Sequence, residues 1–127
     1  MRANTTPVSS TDKLWALLCH LSIFIGLPFI VPLVVYIFKK GQSNYVSGNA
    51  GEAVNFHLST LLYFLLIFSF VFAFAGSGFK QAVIPVAFAI ALGVRFYLMA
   101  IIAAVKSADG YIFHYSLTIP FLNGHRE

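Results

Sequence analysis

Glu52, Asn55 and Ser59 stand at i, i+3 and i+7, a spacing that sets all three on one face of a helix with Phe56 and Tyr63 beside them. In an apolar run such a face lines a hydrated cavity or pairs with a buried cation. A cation is at hand: Arg95 is the one base deep within an apolar stretch, and charges at that depth face the interior of a bundle and pair with side chains or backbone carbonyls. The bland alternatives are a helix N-terminus among headgroups, where Glu52 suits the helix dipole, and an arginine whose stem carries its charge to the surface. His20 follows Cys19, but neighbours on a helix point about 100° apart, which is no nucleophile–base pair. His20 is expected to bond a neighbouring helix, and His57 points away from the Glu52 face. These residues give an expected polar interior of Arg95, Glu52, Asn55 and His20. No Cys-x-x-Cys or His-x-x-x-His spacing offers a metal site, and Gly76-Ser77-Gly78 is a turn, not a phosphate cradle. The expectation is therefore no enzyme, no metal and no cofactor.

Composition says which solvent these residues sit in. The chain has 127 residues, 59% hydrophobic, 17% aromatic and 9% charged, with a mean hydropathy of +0.84. Soluble domains carry about a quarter of their residues as Asp, Glu, Lys and Arg. Eight bases and four acids cannot coat a water-facing surface of this size, and one cysteine builds no disulfide scaffold. The expected class is all-α integral membrane, with the lipid bilayer as first partner. The bases are scattered singly or in one pair, so no basic face forms and no nucleic acid is expected.

Residues 1–11 read as a flexible N-terminal tail, 12–110 as a membrane helical domain and 111–127 as an interfacial, extended C-terminal segment. Apolar runs cover Leu14 to Phe38, about Ala53 to Ala75, and Ala82 to Val105, each at or beyond the roughly 20 residues that cross a bilayer as a helix. A polar Gly/Ser/Asn loop, Gly41 to Gly51, separates the first two. From Tyr111 the pattern changes: His114, Ser116 and Thr118 alternate with Phe113, Tyr115, Leu117 and Ile119, and Pro120 stops any helix, which reads as extended chain at the membrane surface. Trp15, Tyr36, Tyr111 and Tyr115 fall where an aromatic belt would.

The first run is broken by Gly26, Pro28 and Pro32, so it is one kinked span or a hairpin of two short helices. Charge separates the two. Three plain spans put Arg2, Lys13 and Lys80 on one side and Lys39, Lys40, Lys106 and Arg126 on the other. A hairpin puts all but Lys80 of these on one side, as the positive-inside rule expects. The hairpin is preferred, with two full spans, an extended tail and both termini cytoplasmic. Its tip then lies within the membrane, and backbone carbonyls there need protein partners. Arg95, 11 residues before Lys106 and so roughly 16 Å in from the same face, is expected to serve the carbonyls of Phe24 to Gly26. Roughly opposite Arg95, the small residues Ala89, Gly93, Ala100 and Ala104 form a seam for close helix contact, internal or with a second copy.

Several stretches carry a family resemblance: Asp12-Lys13-Leu14-Trp15-Ala16-Leu17-Leu18-Cys19-His20-Leu21-Ser22, Glu52-Ala53-Val54-Asn55-Phe56-His57, Ile102 to Gly110, and Tyr115 to Ile119. Together they resemble small bacterial membrane proteins related to the roughly twenty-kilodalton subunit of the chloroplast inner-envelope (Tic) translocon. The chain departs from that pattern at Gly48-Asn49-Ala50-Gly51, where a His often precedes Glu-Ala, and at Ser116, where Tyr-Pro-Leu is common. The resemblance implies a four-helix membrane domain and a translocon-like or channel-like task in the cytoplasmic membrane. The competing expectation is a non-conducting accessory protein that binds or stabilises another membrane protein, or a second copy of itself.

Overall fold

The computed structural model describes residues 7–122, and these are helical up to Ala108 and extended or turning beyond it. Arg2 and Arg126 of the charge argument lie outside the described residues. Ser9 opens α1 (Ser10–Leu21), its Oγ accepting the Asp12 amide at 3.1 Å and so filling one of the orphan donors of a helix start. After Leu21 the chain tightens into a 3-10 turn (Ser22–Ile25) closed by Gly26 at φ 76°. Glycine holds that left-handed conformation without a Cβ penalty. The chain restarts as α2 (Ile30–Lys39), where Pro32 falls in the first turn and costs no helical hydrogen bond.

The first apolar run is thus a hairpin. Lys39 Nζ lies 5.6 Å from the centroid of the Trp15 ring, and the Ser43 hydroxyl donates to Asp12 Oδ2 at 2.9 Å, so the start of α1 and the end of α2 share one end of the molecule. There α3 (Asn44–Phe74) begins, capped by Ser43. A short 3-10 turn (Ala75–Ser77) and Gly78, at φ 109°, reverse the chain into α4 (Phe79–Ala108). The Tyr45 hydroxyl donates to the Ser107 carbonyl, bringing the end of α4 back beside the start of α3. Lys13, Lys39, Lys40 and Lys106 therefore gather at one end, with Lys80 at the other.

α3 begins nine residues before the expected Ala53, and the expected loop from Gly41 to Gly51 shrinks to residues 40–43. Gly, Ser and Asn are poor helix formers, but packing outweighs propensity here because the small residues admit close neighbours. A Cβ on Gly51 would stand 3.2 Å from Tyr36 Cε2 of α2, and one on Gly48 would stand 2.9 Å from Ile112 Cδ1. Gly51→Leu is expected to force α2 off α3 and cost about 1–3 kcal/mol, read as a lower thermal unfolding midpoint in detergent. Gly76→Ala, where an added Cβ meets nothing within 4 Å, is the control expected to leave the midpoint in place.

With 31 and 30 residues, α3 and α4 are each roughly 45 Å long, more than the ~30 Å of a bilayer core. They are not core helices of a soluble domain: only 11% and 17% of their most apolar windows are buried, and Phe72, Ile84 and Phe88 are 78%, 70% and 69% exposed. A surface so apolar belongs against lipid. The interior lies toward the lysine-rich end, where α1 packs on α3 and α4, and α2 on α3. One cluster there joins Ala16, Cys19, Val35, Tyr45, Val46, Ala50 and Ala53; a second joins Phe56, Phe96, Ala103 and Tyr115. Beyond it the outer halves of α3 and α4 run on with largely exposed side chains.

Candidate functional site

The early start of α3 extends its polar face. Asn49, Glu52, Asn55, Ser59 and Tyr63 follow one another at steps of three or four, so all five look the same way. They hold the chain's own C-terminal segment. Asn49 Oδ1 accepts the Phe113 amide at 3.1 Å while its Nδ2 donates to the Tyr111 carbonyl at 3.2 Å. His114 Nδ1 donates to Glu52 Oε1 at 3.0 Å. Deeper along the helix the Tyr63 hydroxyl donates to the Leu117 carbonyl at 2.8 Å. There the segment reverses, with Leu117 at φ 61°. On the way back Ser59 Oγ accepts the Ile119 amide at 2.7 Å. Asn55 then pairs with both backbone groups of Leu122, donating to its carbonyl at 3.0 Å and accepting its amide at 2.7 Å. An irregular segment cannot bond its own amides as a helix does; here side chains of α3 satisfy them. From Asn49 to Tyr63 the path runs 14 residue steps along α3, roughly 21 Å.

His20 joins this network from α1. The two carbonyls bonded by Asn49 Nδ2, those of Tyr45 and Tyr111, fix the orientation of the amide. Oδ1 then accepts from His20 Nε2 at 2.9 Å, and His20 Nδ1 accepts the Tyr115 hydroxyl at 2.8 Å. The imidazole is held in one neutral tautomer with both nitrogens used. The Tyr115 ring stacks on Phe56, centroids 3.8 Å apart and planes 9° from parallel, and Phe56 stacks in turn on Phe96. Tyr115 is only 5% exposed; the expected belt residue is a core residue, because its hydroxyl finds His20 and its ring finds Phe56.

Glu52, Asn55 and His20 are almost wholly buried, while Arg95 is half-buried. The structure brings the first three onto one network and sets Arg95 on the far turn of the same segment. Arg95 Nη2 donates to the Ser116 carbonyl and to its hydroxyl, both at 2.9 Å. The expected bonds to Phe24–Gly26 are not made. Tyr97, about 200° round α4 from Arg95, faces the hairpin tip with its ring 5.4 Å from that of Phe24. The carbonyl freed by the break, that of Pro28, is served by His57 Nδ1. In the small-residue seam Ala100 and Ala104 are buried within the chain, and Gly93 lies against Phe64, where an added Cβ would meet Cζ at 3.7 Å; Ala89 is half-buried. Cys19 is buried and free. Among the described residues no three His, Cys, Asp or Glu side chains gather as a metal would require. Asn49 and Tyr115 were missed as partners because Asn49 falls in a stretch that reads as loop. A helix begun at the Ser43 cap would have put Asn49 one turn before Glu52.

A family model for magnetosome magnetite crystal formation proteins (MamF/MmsF) matches residues 11–122, nearly the whole chain and every element described above. The chain belongs to the MamF/MmsF family. This overturns the resemblance to translocon-related proteins: the stretches quoted for it lie inside the MamF/MmsF match, and short Trp-Ala and Glu-Ala elements between apolar runs do not separate two families of small membrane proteins. The translocon-like role falls with it. MamF/MmsF proteins are small membrane proteins associated with magnetosome formation, in keeping with the two long apolar helices. No curated protein and no solved structure matches the chain.

Proposed function

We infer that this protein is a non-conducting accessory component of the magnetosome membrane, acting on crystal formation through a membrane partner and not by carrying ions itself. The observation that carries this reading is the occupied polar face. The side chains that would line a pore on α3 are bonded to residues 111–122 of the same chain. Such a face holds backbone in place and leaves no row of free ligands for a permeating ion.

Charge supports the same reading. With Lys13, Lys39, Lys40 and Lys106 on the cytoplasmic side, the start of α1 and the end of α4 are cytoplasmic and the Ala75–Gly78 turn faces the enclosed crystal. Asp12, Glu52 and Asp109 all lie toward the lysine-rich end, and the turn offers no carboxylate to bind iron, a metal that takes oxygen ligands readily. The outer halves of α3 and α4, against which no other part of the described chain packs, are the surface left for a partner helix. In this placement residues 111–122 enter from the cytoplasmic interface and turn back near the level of Arg95, roughly 16 Å from Lys106 along α4. Non-helical backbone at that depth is tolerated only where protein satisfies it.

The test joins two measurements on one protein. In a magnetite-forming bacterium lacking the gene, the wild-type chain is expected to restore crystal size in electron micrographs. The same purified chain in liposomes should pass no more Fe²⁺ or K⁺ than empty liposomes. Ion flux that Arg95→Ala alters would overturn the accessory role in favour of conduction.

A further inference from the structure

In the membrane placement proposed above, Arg95 lies 15 residues after Lys80 and 11 before Lys106. Those steps are about 22 Å and 16 Å along α4, so Arg95 stands near the middle of a core about 30 Å thick. Its face of α4 looks outward: Leu98 and Ile102, at i+3 and i+7, are exposed apolar side chains. Two features keep the guanidinium at that depth. Side chains on a helix lean toward its N-terminus, here the Lys80 end, away from the lysine-rich end. Nη2 is also fastened to the Ser116 carbonyl and hydroxyl, both at 2.9 Å, beside the turn at Leu117.

Both of those acceptors are neutral, so neither matches the charge. The acids of the described residues serve other partners or lie past the end of α4: Asp12 accepts the Ser43 hydroxyl, Glu52 accepts His114, and Asp109 follows α4. A guanidinium carries five N–H donors, and among the described residues those on Nε and Nη1 make no hydrogen bond. A cation open to lipid at this depth is costly, and bilayers answer it with local thinning that brings polar groups inward.

We propose that Arg95 binds the phosphodiester of a phospholipid from the cytoplasmic leaflet, whose oxygens accept from Nε or Nη1. Charge-assisted bonds of this kind are roughly twice as strong as neutral ones. The headgroup has a polar path inward, because His114 and Ser116 are exposed on either side of the buried Tyr115. The extended segment thereby shows lipid a polar edge that leads from the cytoplasmic interface to Arg95.

The test is native mass spectrometry of the detergent-purified chain titrated with dioleoylphosphatidylglycerol, read as the affinity of the first lipid bound. Dioleoylglycerol, with the same chains and no phosphate, is expected to bind about tenfold more weakly. Arg95→Gln keeps an N–H donor for Ser116 and removes the charge; it should weaken the phospholipid about tenfold and leave dioleoylglycerol unchanged. Arg95→Lys, which keeps the charge, should restore most of that affinity, and Lys40→Gln at the lysine-rich end should cost no more than about threefold. Equal binding of the two wild-type ligands, phospholipid affinity unchanged in Arg95→Gln, or a loss in Lys40→Gln as large as in Arg95→Gln would each overturn the assignment. Displacement of the lipid by millimolar inorganic phosphate would overturn it in favour of a free anion. Since the titration is made in detergent, its failure is distinct from a failure of the membrane placement, which the depth of a label at Leu117 reads.

Discussion

A chain ending at Gly110 is expected not to accumulate as a folded protein. Removing residues 111–122 strips partners from His20, Asn49, Glu52, Asn55, Ser59, Tyr63 and Arg95 together and takes Tyr115 from the Phe56 stack. Single hydrogen bonds inside membrane proteins are worth on average about 0.6 kcal/mol, because an unfolded helix in lipid still finds partners. Their joint loss, with a buried aromatic side chain, comes to on the order of 5 kcal/mol or more, comparable to the whole stability of many domains. The measurement is the yield of monodisperse protein after detergent extraction, wild type against truncation, from equal expression. A truncated chain that extracts and melts like the wild type would show that the segment is an ornament. Failure to restore crystals would follow from the same loss of fold and is no separate evidence on function.

Asn49→Leu should be the most damaging single substitution of a polar residue. Leucine keeps the volume and removes the bonds to His20, Phe113 and Tyr111 together. The buried His20 Nε2 and the part-buried Phe113 amide and Tyr111 carbonyl then lose their partner, and an unmet group costs about 1–3 kcal/mol where water cannot reach it. Allowing for relaxation, a loss of about 3 kcal/mol is expected, or roughly a 10 °C fall in midpoint. A double-mutant cycle shows whether the loss belongs to the network. His20→Leu alone strands the Tyr115 hydroxyl and leaves Asn49 Oδ1 with the Phe113 amide as its remaining donor. Combined with Asn49→Leu it should cost clearly less than the sum of the two, because both changes break the same bond. Additive losses would mean that His20 and Asn49 act independently.

The hairpin was legible because glycine and proline act locally: Gly26 supplies a left-handed residue, Pro28 sits in the turn between the two helices, and the lysines on either side mark where the chain meets water. The long helices were legible from apolar runs. The first turns of α3 were not, since Ser47, Gly48, Asn49 and Gly51 have loop-like propensities and become helical through packing against Tyr36 and Ile112. The C-terminal segment announced itself by its period of two and Pro120, but not what it leans on. Bonds such as that of Asn55 to Leu122 join side chain to backbone 67 residues away, and no spacing in the chain encodes them. Arg95 shows the boundary well: its depth was readable from the run around it, but which side of α4 it served depended on where the segment after Gly110 travels.

In the placement proposed above, residues 111–122 dip into the membrane and return, held by the polar face of α3. Leu117, at the turn and 73% exposed, is the position to probe. A nitroxide on Leu117→Cys, with Cys19→Ala, is to be studied by EPR power saturation in reconstituted bilayers, comparing oxygen with a water-soluble nickel chelate. Roughly 16 Å of depth predicts strong relaxation by oxygen and almost none by the chelate, with a label on Ser43→Cys showing the reverse. A Leu117 label that the chelate reaches as readily as the Ser43 label would instead place the segment at the surface.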